Sequence, residues 1–149
     1  MSTINIACRY VLASLLALAL QACGADLYDV AHVQQTNDWM NSFKGYPVQK
    51  TLHGRASYYH DSLAGNPTSN GEIYDPRVLS AASRTLPFGT VLRVTRKDDG
   101  RSVLVRINDR GPFGDDQRIL DLSREAATRL GMLLKGVVAI RADILWSPR

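Results

Sequence analysis

Cysteine is scarce in this chain of 149 residues, which contains only Cys8 and Cys23. After residue 23, therefore, nothing remains to form a disulfide or a cysteine-based zinc site. The three histidines (His32, His53 and His60) are scattered and lack the short spacing of metal ligands. The sequence thus predicts no metal and no cofactor, and its stability must come from the packing of a core.

Charge of one sign is never concentrated. Lysine and arginine number 18 against 14 acidic residues, which gives a net charge of +4 without a long run of either sign. Proteins that bind nucleic acid gather their cations in a stripe or patch, so no nucleic-acid partner is predicted. The mild positive balance is compatible with an anionic polymer but does not single one out.

Long hydrophobic runs are also missing apart from one, Tyr10–Leu20 (YVLASLLALAL). It is shorter than the about 20 residues that cross a bilayer, and it matches the apolar core of a secretory signal. The next residues, 20–23 (LQAC), resemble the lipobox of bacterial lipoproteins. That resemblance implies removal of residues 1–22 and acylation of Cys23; a soluble secreted protein, cut at a nearby small residue, is the alternative. Gly24 in place of Asp implies sorting to the outer membrane, on the periplasmic side of the envelope.

Residues 23–50 are predicted to be a tether. The stretch is mixed and mostly polar, and only a weak helix over Val30–Met40 is indicated. Trp39, Phe43 and Tyr46 are its candidates for packing, either locally or against the domain that follows.

Residues 51–147 are predicted to form one small domain. Alternation of apolar and polar residues marks strands at 55–59, 79–82, 90–96, 103–108, 118–122 and 137–145, and residues 61–75 form a long loop. Ser123 is the predicted N-cap and Gly131 the predicted C-cap residue of a short helix. Six short strands in under a hundred residues favour a small β-barrel.

The central stretch is residues 103–113, VLVRINDRGPF. Its first half alternates as a strand does, and Gly111 and Pro112 end that strand. Asp109 and Arg110 therefore lie at a strand end, where side chains that bind or react are often held. An aspartate in this position is also a common turn-former, so the stretch alone leaves both interpretations open.

Six ordered motifs together resemble the rare lipoprotein A (RlpA) family. They are GRASYY (54–59), TSNGE (68–72), SAASRTLPFGT (80–90), VRINDRGPF (105–113), RILDLSREAA (118–127) and LG (130–131). The resemblance implies a six-stranded double-psi β-barrel, mainly β with one or two short helices, the fold shared with expansins. It also implies lytic transglycosylase activity on the glycan strands of peptidoglycan. In that reaction the 6-hydroxyl of the sugar attacks its own anomeric carbon, so one carboxyl group can serve as acid and then as base.

The resemblance assigns the catalytic positions to Asp109, as the acid, and to Glu72, as the second acidic residue of the cleft. A histidine of the family is replaced here by Ser83. Serine can hydrogen-bond a sugar, but it cannot take up a proton near neutral pH. A non-catalytic, expansin-like module that binds or loosens the wall is therefore the alternative function.

Further residues are predicted to contact the substrate, namely Ser83, Tyr58, Tyr59, Thr68, Asn108 and Arg110. Arg106 and Arg110 are close to Asp109 in sequence, and their positive charge would lower the pKa of an acid that ought to have a raised one. Arg118 and Asp121, three residues apart on a strand, are predicted to face opposite sides.

Overall fold

The computed structural model describes residues 27–149. The predicted signal peptide and Cys23 lie outside the described residues. Of the described residues, those up to Gln35 and those from Thr36 to Arg149 belong to two different compact units. Among residues 27–149, no helix is both long and apolar enough to cross a bilayer.

Six strands form a closed barrel in the second unit, which confirms the predicted fold class. The strands are β1 (Lys50–Tyr58), β2 (Ser80–Ala82), β3 (Val91–Arg96), β4 (Ser102–Asp109), β5 (Arg118–Leu122) and β6 (Val138–Trp146). Around the barrel the order is β1-β5-β2-β4-β3-β6. The β1–β5 and β2–β4 pairs are parallel, and the other four pairs are antiparallel.

The barrel interior is filled by the inward residues of every strand. Val103, Val105 and Ile107 of β4 are buried, as their period-two spacing predicts. They pack with aliphatic side chains of other strands, including Leu92, Leu120, Leu122 and Ile140. Because the interior is solid, a substrate can only bind at the barrel's surface and at its loops.

Strand β1 begins at Lys50, five residues earlier than the sequence predicts. Its first half pairs antiparallel with β6, from Lys50 opposite Ile144 to Ala56 opposite Val138. The alternation is hard to see because one inward position is Gly54. A Cβ there would lie 2.8 Å from Cγ2 of Ile119, so glycine is the residue that this packing admits.

The second half of the predicted tether packs on the barrel. Helix α1 spans Leu27–Asn41, and Met40 near its end is fully buried. Met40 and Phe43 form a second apolar cluster with Val91, Leu104 and Leu145. The folded unit therefore begins before residue 51, and Phe43 packs against the barrel rather than only locally.

Helix α2 (Arg124–Arg129) has the predicted N-cap, Ser123, but its C-cap is Leu130, one residue before the predicted Gly131. The Ser123 hydroxyl accepts a hydrogen bond from Ala126 N at 3.3 Å, and Gly131 adopts φ +61°. The predicted loop over 61–75 contains one 3₁₀ turn, Asp61–Leu63, and an isolated bridge between Pro67 and Ile73. That bridge folds the loop back on itself beside the end of β4.

Candidate active site

Three segments meet where β4 ends: Asp109 itself, Tyr59 just after β1, and the loop over 61–75. Tyr59 is fixed by a hydrogen bond from its N–H to the carbonyl of Leu122, at 2.9 Å. The loop is attached to β4 through the N–H of Asn70, which donates to the carbonyl of Asn108 at 3.3 Å. Residues far apart in sequence are thereby held at one strand end.

The carboxylate of Asp109 accepts four hydrogen bonds. Its Oδ1 accepts from Ser69 N (2.8 Å), Ser69 Oγ (2.5 Å) and Arg110 N (2.8 Å), and its Oδ2 accepts from the hydroxyl of Tyr59 (2.7 Å). Burial by itself would raise the pKa of Asp109, but the bonds from Ser69, Tyr59 and Arg110 outweigh it and hold the pKa below its usual 3.8. Asp109 is therefore a fixed, ionised carboxylate near neutral pH.

Glu72 is the second carboxylate, and both of its oxygens are also engaged. Arg106 donates two hydrogen bonds of 2.8 Å to Glu72, one to each carboxylate oxygen. Asn108 and Asn70 each donate a further hydrogen bond of 3.0 Å to the same carboxylate. The hydrogen bonds from Arg106 are the largest cause that lowers the pKa of Glu72, which falls from 4.5 to about 2 in spite of partial burial. The structure places the two acidic residues in one region, since Asn108, which donates to Glu72, is adjacent to Asp109.

Tyr59 donates to the carboxylate oxygen of Asp109 that Ser69 does not contact. Its ring contacts Tyr74 edge-to-face, with the centroids 4.7 Å apart. Burial, and then the hydrogen bond and negative charge of Asp109, raise the pKa of Tyr59 well above its usual 10. The phenol thus stays protonated and remains a donor to Asp109.

The two arginines next to Asp109 in sequence point elsewhere. Arg106 is bound to Glu72, as described. Arg110 donates from Nη1 to the carbonyls of Ser83 (3.1 Å) and Leu86 (2.9 Å), and its guanidinium lies 3.7 Å above the ring of Phe88. Arg110 therefore binds two backbone carbonyls.

Ser83 is buried below the strand end. Its N–H donates to the carbonyl of Asp109 at 3.1 Å. Its hydroxyl accepts from the N–H groups of Thr85 (3.5 Å) and Leu86 (3.3 Å). The hydroxyl consequently caps a turn, although it occupies the position for which the resemblance implies a histidine.

Three further residues predicted to contact substrate are placed differently from one another. Thr68 is buried and donates to Asn70 Oδ1 at 2.7 Å, so it shapes the loop. Asn108 is buried against Glu72. Tyr58 points away from Tyr59, as neighbouring strand residues do, and its hydroxyl donates to the carbonyl of Leu133 at 3.0 Å.

One cluster beside the site contradicts the prediction from sequence. Arg118 and Asp121 are not on opposite sides: Arg118 Nη1 lies 3.5 Å from Asp121 Oδ1. Ser57 of β1 lies between them, because its hydroxyl donates to Asp121 Oδ1 and accepts from Arg118 Nη1 at 2.8 Å. The prediction was wrong because the register between β1 and β5 shifts between Arg55 and Ala56: β5 carries one extra residue there, which brings Arg118, opposite Arg55, and Asp121, opposite Ser57, to the same face. Ser57 and Ser69 were missed, and only the register between β1 and β5 brings Ser57 here.

The arrangement can position a proton-accepting carboxylate against a polymer that lies along the surface. A cavity of about 70 Å³, between Tyr59, Thr68 and Tyr74, lies against Asp109. It has the volume of a few water molecules, so a sugar chain must run across the open face. Within residues 27–149 no group of three or more His, Cys, Asp or Glu residues could hold a metal ion.

Comparison with known proteins places this site in context. A family model described as "Lytic transglycolase" matches residues 51–142. "Probable endolytic peptidoglycan transglycosylase RlpA" of Nostoc sp. is 49% identical over 100 residues, which are 66% of this chain and 27% of that protein. "Endolytic peptidoglycan transglycosylase RlpA" of Campylobacter jejuni is 44% identical over 98 residues, which are 66% of this chain and 35% of that protein.

Among solved structures, the apo form of the Clavibacter michiganensis expansin has a similar fold. It superposes with a TM-score of 0.53 at 26% identity, over 67% of this chain and 52% of that one. The match spans only 27% and 35% of the length of the Nostoc and Campylobacter proteins, respectively.

Proposed function

Because this chain belongs to the double-psi β-barrel family of lytic transglycosylases that includes the RlpA proteins, we propose that it cleaves the glycan strands of peptidoglycan. The bond broken joins C1 of N-acetylmuramic acid to O4 of N-acetylglucosamine, and the product carries a 1,6-anhydro ring. The observation that carries this proposal is the carboxylate of Asp109, held by four hydrogen bonds at an open strand end.

One carboxylate suffices for the proton transfers. As O6 of the muramic acid attacks C1, Asp109 takes the proton from O6 and passes it to O4 of the leaving sugar. The C1–O6 bond forms, the C1–O4 bond breaks, and no water is consumed. The lowered pKa of Asp109 favours this order, base first and acid second, over a start from the protonated acid.

Glu72 has a different part in the proposal. Because Arg106 and two asparagines occupy its oxygens, it stays ionised and anchors the loop that supplies Ser69 to Asp109. It thus positions the reacting carboxylate. Tyr59, just after β1, also positions Asp109 by donating a hydrogen bond to its carboxylate. The glycan binds at the open face beside Asp109.

A non-catalytic, expansin-like role in binding or loosening the wall is the second candidate. Ser83 favours this role. Its buried hydroxyl accepts hydrogen bonds from two backbone N–H groups, and unlike histidine it neither takes up nor releases a proton near neutral pH. The likeness to the Clavibacter expansin favours it as well. The presence of both acidic positions supports cleavage over this alternative.

The relatives act on peptidoglycan, so the envelope is the expected place of action. We further propose that acylation of Cys23 anchors the protein to the periplasmic face of the outer membrane, a role that the lipobox at residues 20–23 supports. Several acyl chains together hold a protein firmly, because each buried methylene contributes about 0.8 kcal/mol. Cys23→Ala should move the protein from the membrane fraction to the soluble fraction, and retention in the membrane would contradict the anchor.

The decisive experiment is a digestion of purified sacculi and of peptide-free glycan by the full chain in detergent. Mass spectrometry should detect anhydro-ended sugars with the native protein and none with Asp109→Asn. Asp99→Asn, in the turn between β3 and β4 and therefore far along the chain from the end of β4, is the matched control and should digest normally. If neither substrate yields product while the native protein still pellets with sacculi, the binding role replaces cleavage.

A further inference from the structure

Phe113 is a large aromatic side chain left open to solvent four residues after Asp109. It is 71% exposed. Its position is nevertheless fixed, because its carbonyl accepts a hydrogen bond of 3.0 Å from Arg118 Nη2. Single exposed apolar residues are common on protein surfaces, so exposure of this ring does not by itself indicate a binding site. The groups next to the ring provide the further evidence.

Beside the ring lies a carboxylate oxygen with no protein partner. Asp121 uses Oδ1 for Ser57 and Arg118, whereas its Oδ2 makes no hydrogen bond or ion pair within residues 27–149. A Cβ on Gly111 would lie 3.7 Å from that Oδ2 and 3.9 Å from Cε2 of Phe113. The free oxygen and the ring edge thus border the same small space, which the missing side chain of Gly111 leaves open.

This space is continuous with the end of β4. Ala82 of β2 pairs with Asp109 on one side and with Asp121 on the other. Strands in a sheet are about 4.8 Å apart, which puts the two aspartates about 10 Å apart along the surface. Ala82, which is fully buried, lies between them, with Gly111 above it. A chain bound at Asp109 can therefore run across this low floor to Asp121.

We propose that Phe113, Gly111 and Asp121 form a sugar-binding subsite next to the point of cleavage. One pyranose ring stacks its C–H face on the ring of Phe113, and a hydroxyl or amide of the same sugar donates to Asp121 Oδ2. Arg118 holds both parts, since it binds the carbonyl of Phe113 and the Ser57–Asp121 pair. The inference rests on the proposed function in taking a glycan as the ligand.

The test measures binding of a soluble oligosaccharide, the hexamer of N-acetylglucosamine, to the full chain by calorimetry. Phe113→Ala and Phe113→Leu should each weaken binding about tenfold, as loss of an aromatic anchor does, while Phe113→Trp retains it. Leucine keeps apolar bulk without a flat face, so it separates stacking from simple burial. Asp121→Asn should weaken binding several-fold. Leu134→Ala, which removes a fully exposed apolar side chain elsewhere on the surface, is the control and should bind as the native protein does.

Release of anhydro sugars is measured on the same proteins, so that the two proposals fail separately. If the native chain binds the hexamer in the expected Phe113-dependent way but releases no product, the subsite stands and cleavage is refuted. If the native chain cleaves glycan and Phe113→Ala binds the hexamer with native affinity, the subsite is refuted and cleavage stands. Native affinity in Phe113→Leu, or no binding by the native chain, also overturns the subsite.

Discussion

Replacement of Glu72 by glutamine tests whether its carboxylate acts as an anchor of the fold. Arg106 would then lose the two charge-assisted bonds of 2.8 Å that hold its guanidinium, which is only 18% exposed. A polar group left partly buried without its charged partner is costly. Glu72→Gln should therefore lower the free energy of unfolding at neutral pH.

The magnitude follows from the pKa of Glu72. A fall from 4.5 to about 2, at about 1.4 kcal/mol per unit, sets an upper bound of about 3.5 kcal/mol. Because the Glu72 side chain is 42% exposed, solvent screens the interaction, and we expect about 1.5 kcal/mol. A carboxylate with a lowered folded pKa stabilises the fold above its unfolded pKa. The stabilisation is therefore complete above pH 4.5 and disappears as the pH falls towards 2.

The assay is urea unfolding of the full chain at several pH values between 2 and 7, followed by tryptophan fluorescence. The difference between the native protein and Glu72→Gln should shrink steadily below pH 4.5. Glu125→Gln is the matched control: it breaks an exposed helix pair with Arg129, which contributes about 0.5 kcal/mol. A difference for Glu72→Gln that does not vary with pH would refute the reasoning, since the carboxylate would then contribute nothing through its ionisation.

Three other substitutions have defined outcomes. Tyr59→Phe removes the donor to Asp109 Oδ2, which should raise the pKa of Asp109 and move the acid limb of the pH–turnover profile to higher pH; an unmoved limb would contradict this. Ser83→Ala should cost about 1 kcal/mol of stability in denaturant unfolding, because two backbone N–H groups lose their acceptor; a raised KM with unchanged stability would instead indicate a substrate contact. Phe43→Ala should cost about 3 kcal/mol in the same assay, as for a buried aromatic residue, and a change below about 1 kcal/mol would show that residues 36–50 are a loose tether after all.

The strands could be predicted wherever their apolar residues were plain. Val103, Val105 and Ile107 alternate strictly, and all three line the interior. The alternation does not predict the start of β1, because its outward residues are polar and one of its inward positions is Gly54, which has no apolar side chain. The structure explains this glycine by the close packing of Ile119 against it. Alternation therefore predicts a strand only as far as side chains, rather than backbone contacts, define its inner face.

The sequence predicts the strand-end position of Asp109, but it does not predict the contacts between the side chains of the site. A turn after a strand places Asp109 at a strand end, and this follows from Gly111 and Pro112. Nothing in the spacing of Glu72 and Arg106, 34 residues apart, indicates that they form a bidentate pair. That pair exists because the loop over 61–75 folds back on β4. Glu72 was therefore singled out by its motif alone.

The positions of the arginine charges could not be predicted from the sequence. Proximity in the chain predicts that Arg106 and Arg110 lower the pKa of Asp109. The pKa is lowered, but by hydrogen bonds from Ser69, Tyr59 and a backbone N–H, while each guanidinium binds another partner. Arg118 likewise contacts Asp121 because a register shift between β1 and β5 brings both residues to one face, where strict alternation along β5 would separate them. Position along a strand therefore does not fix where the charge of an arginine lies, and only the pairing in the assembled barrel does. The electrostatics of Asp109 are accordingly set by short, fixed donors, and substitution of those donors is the way to alter them.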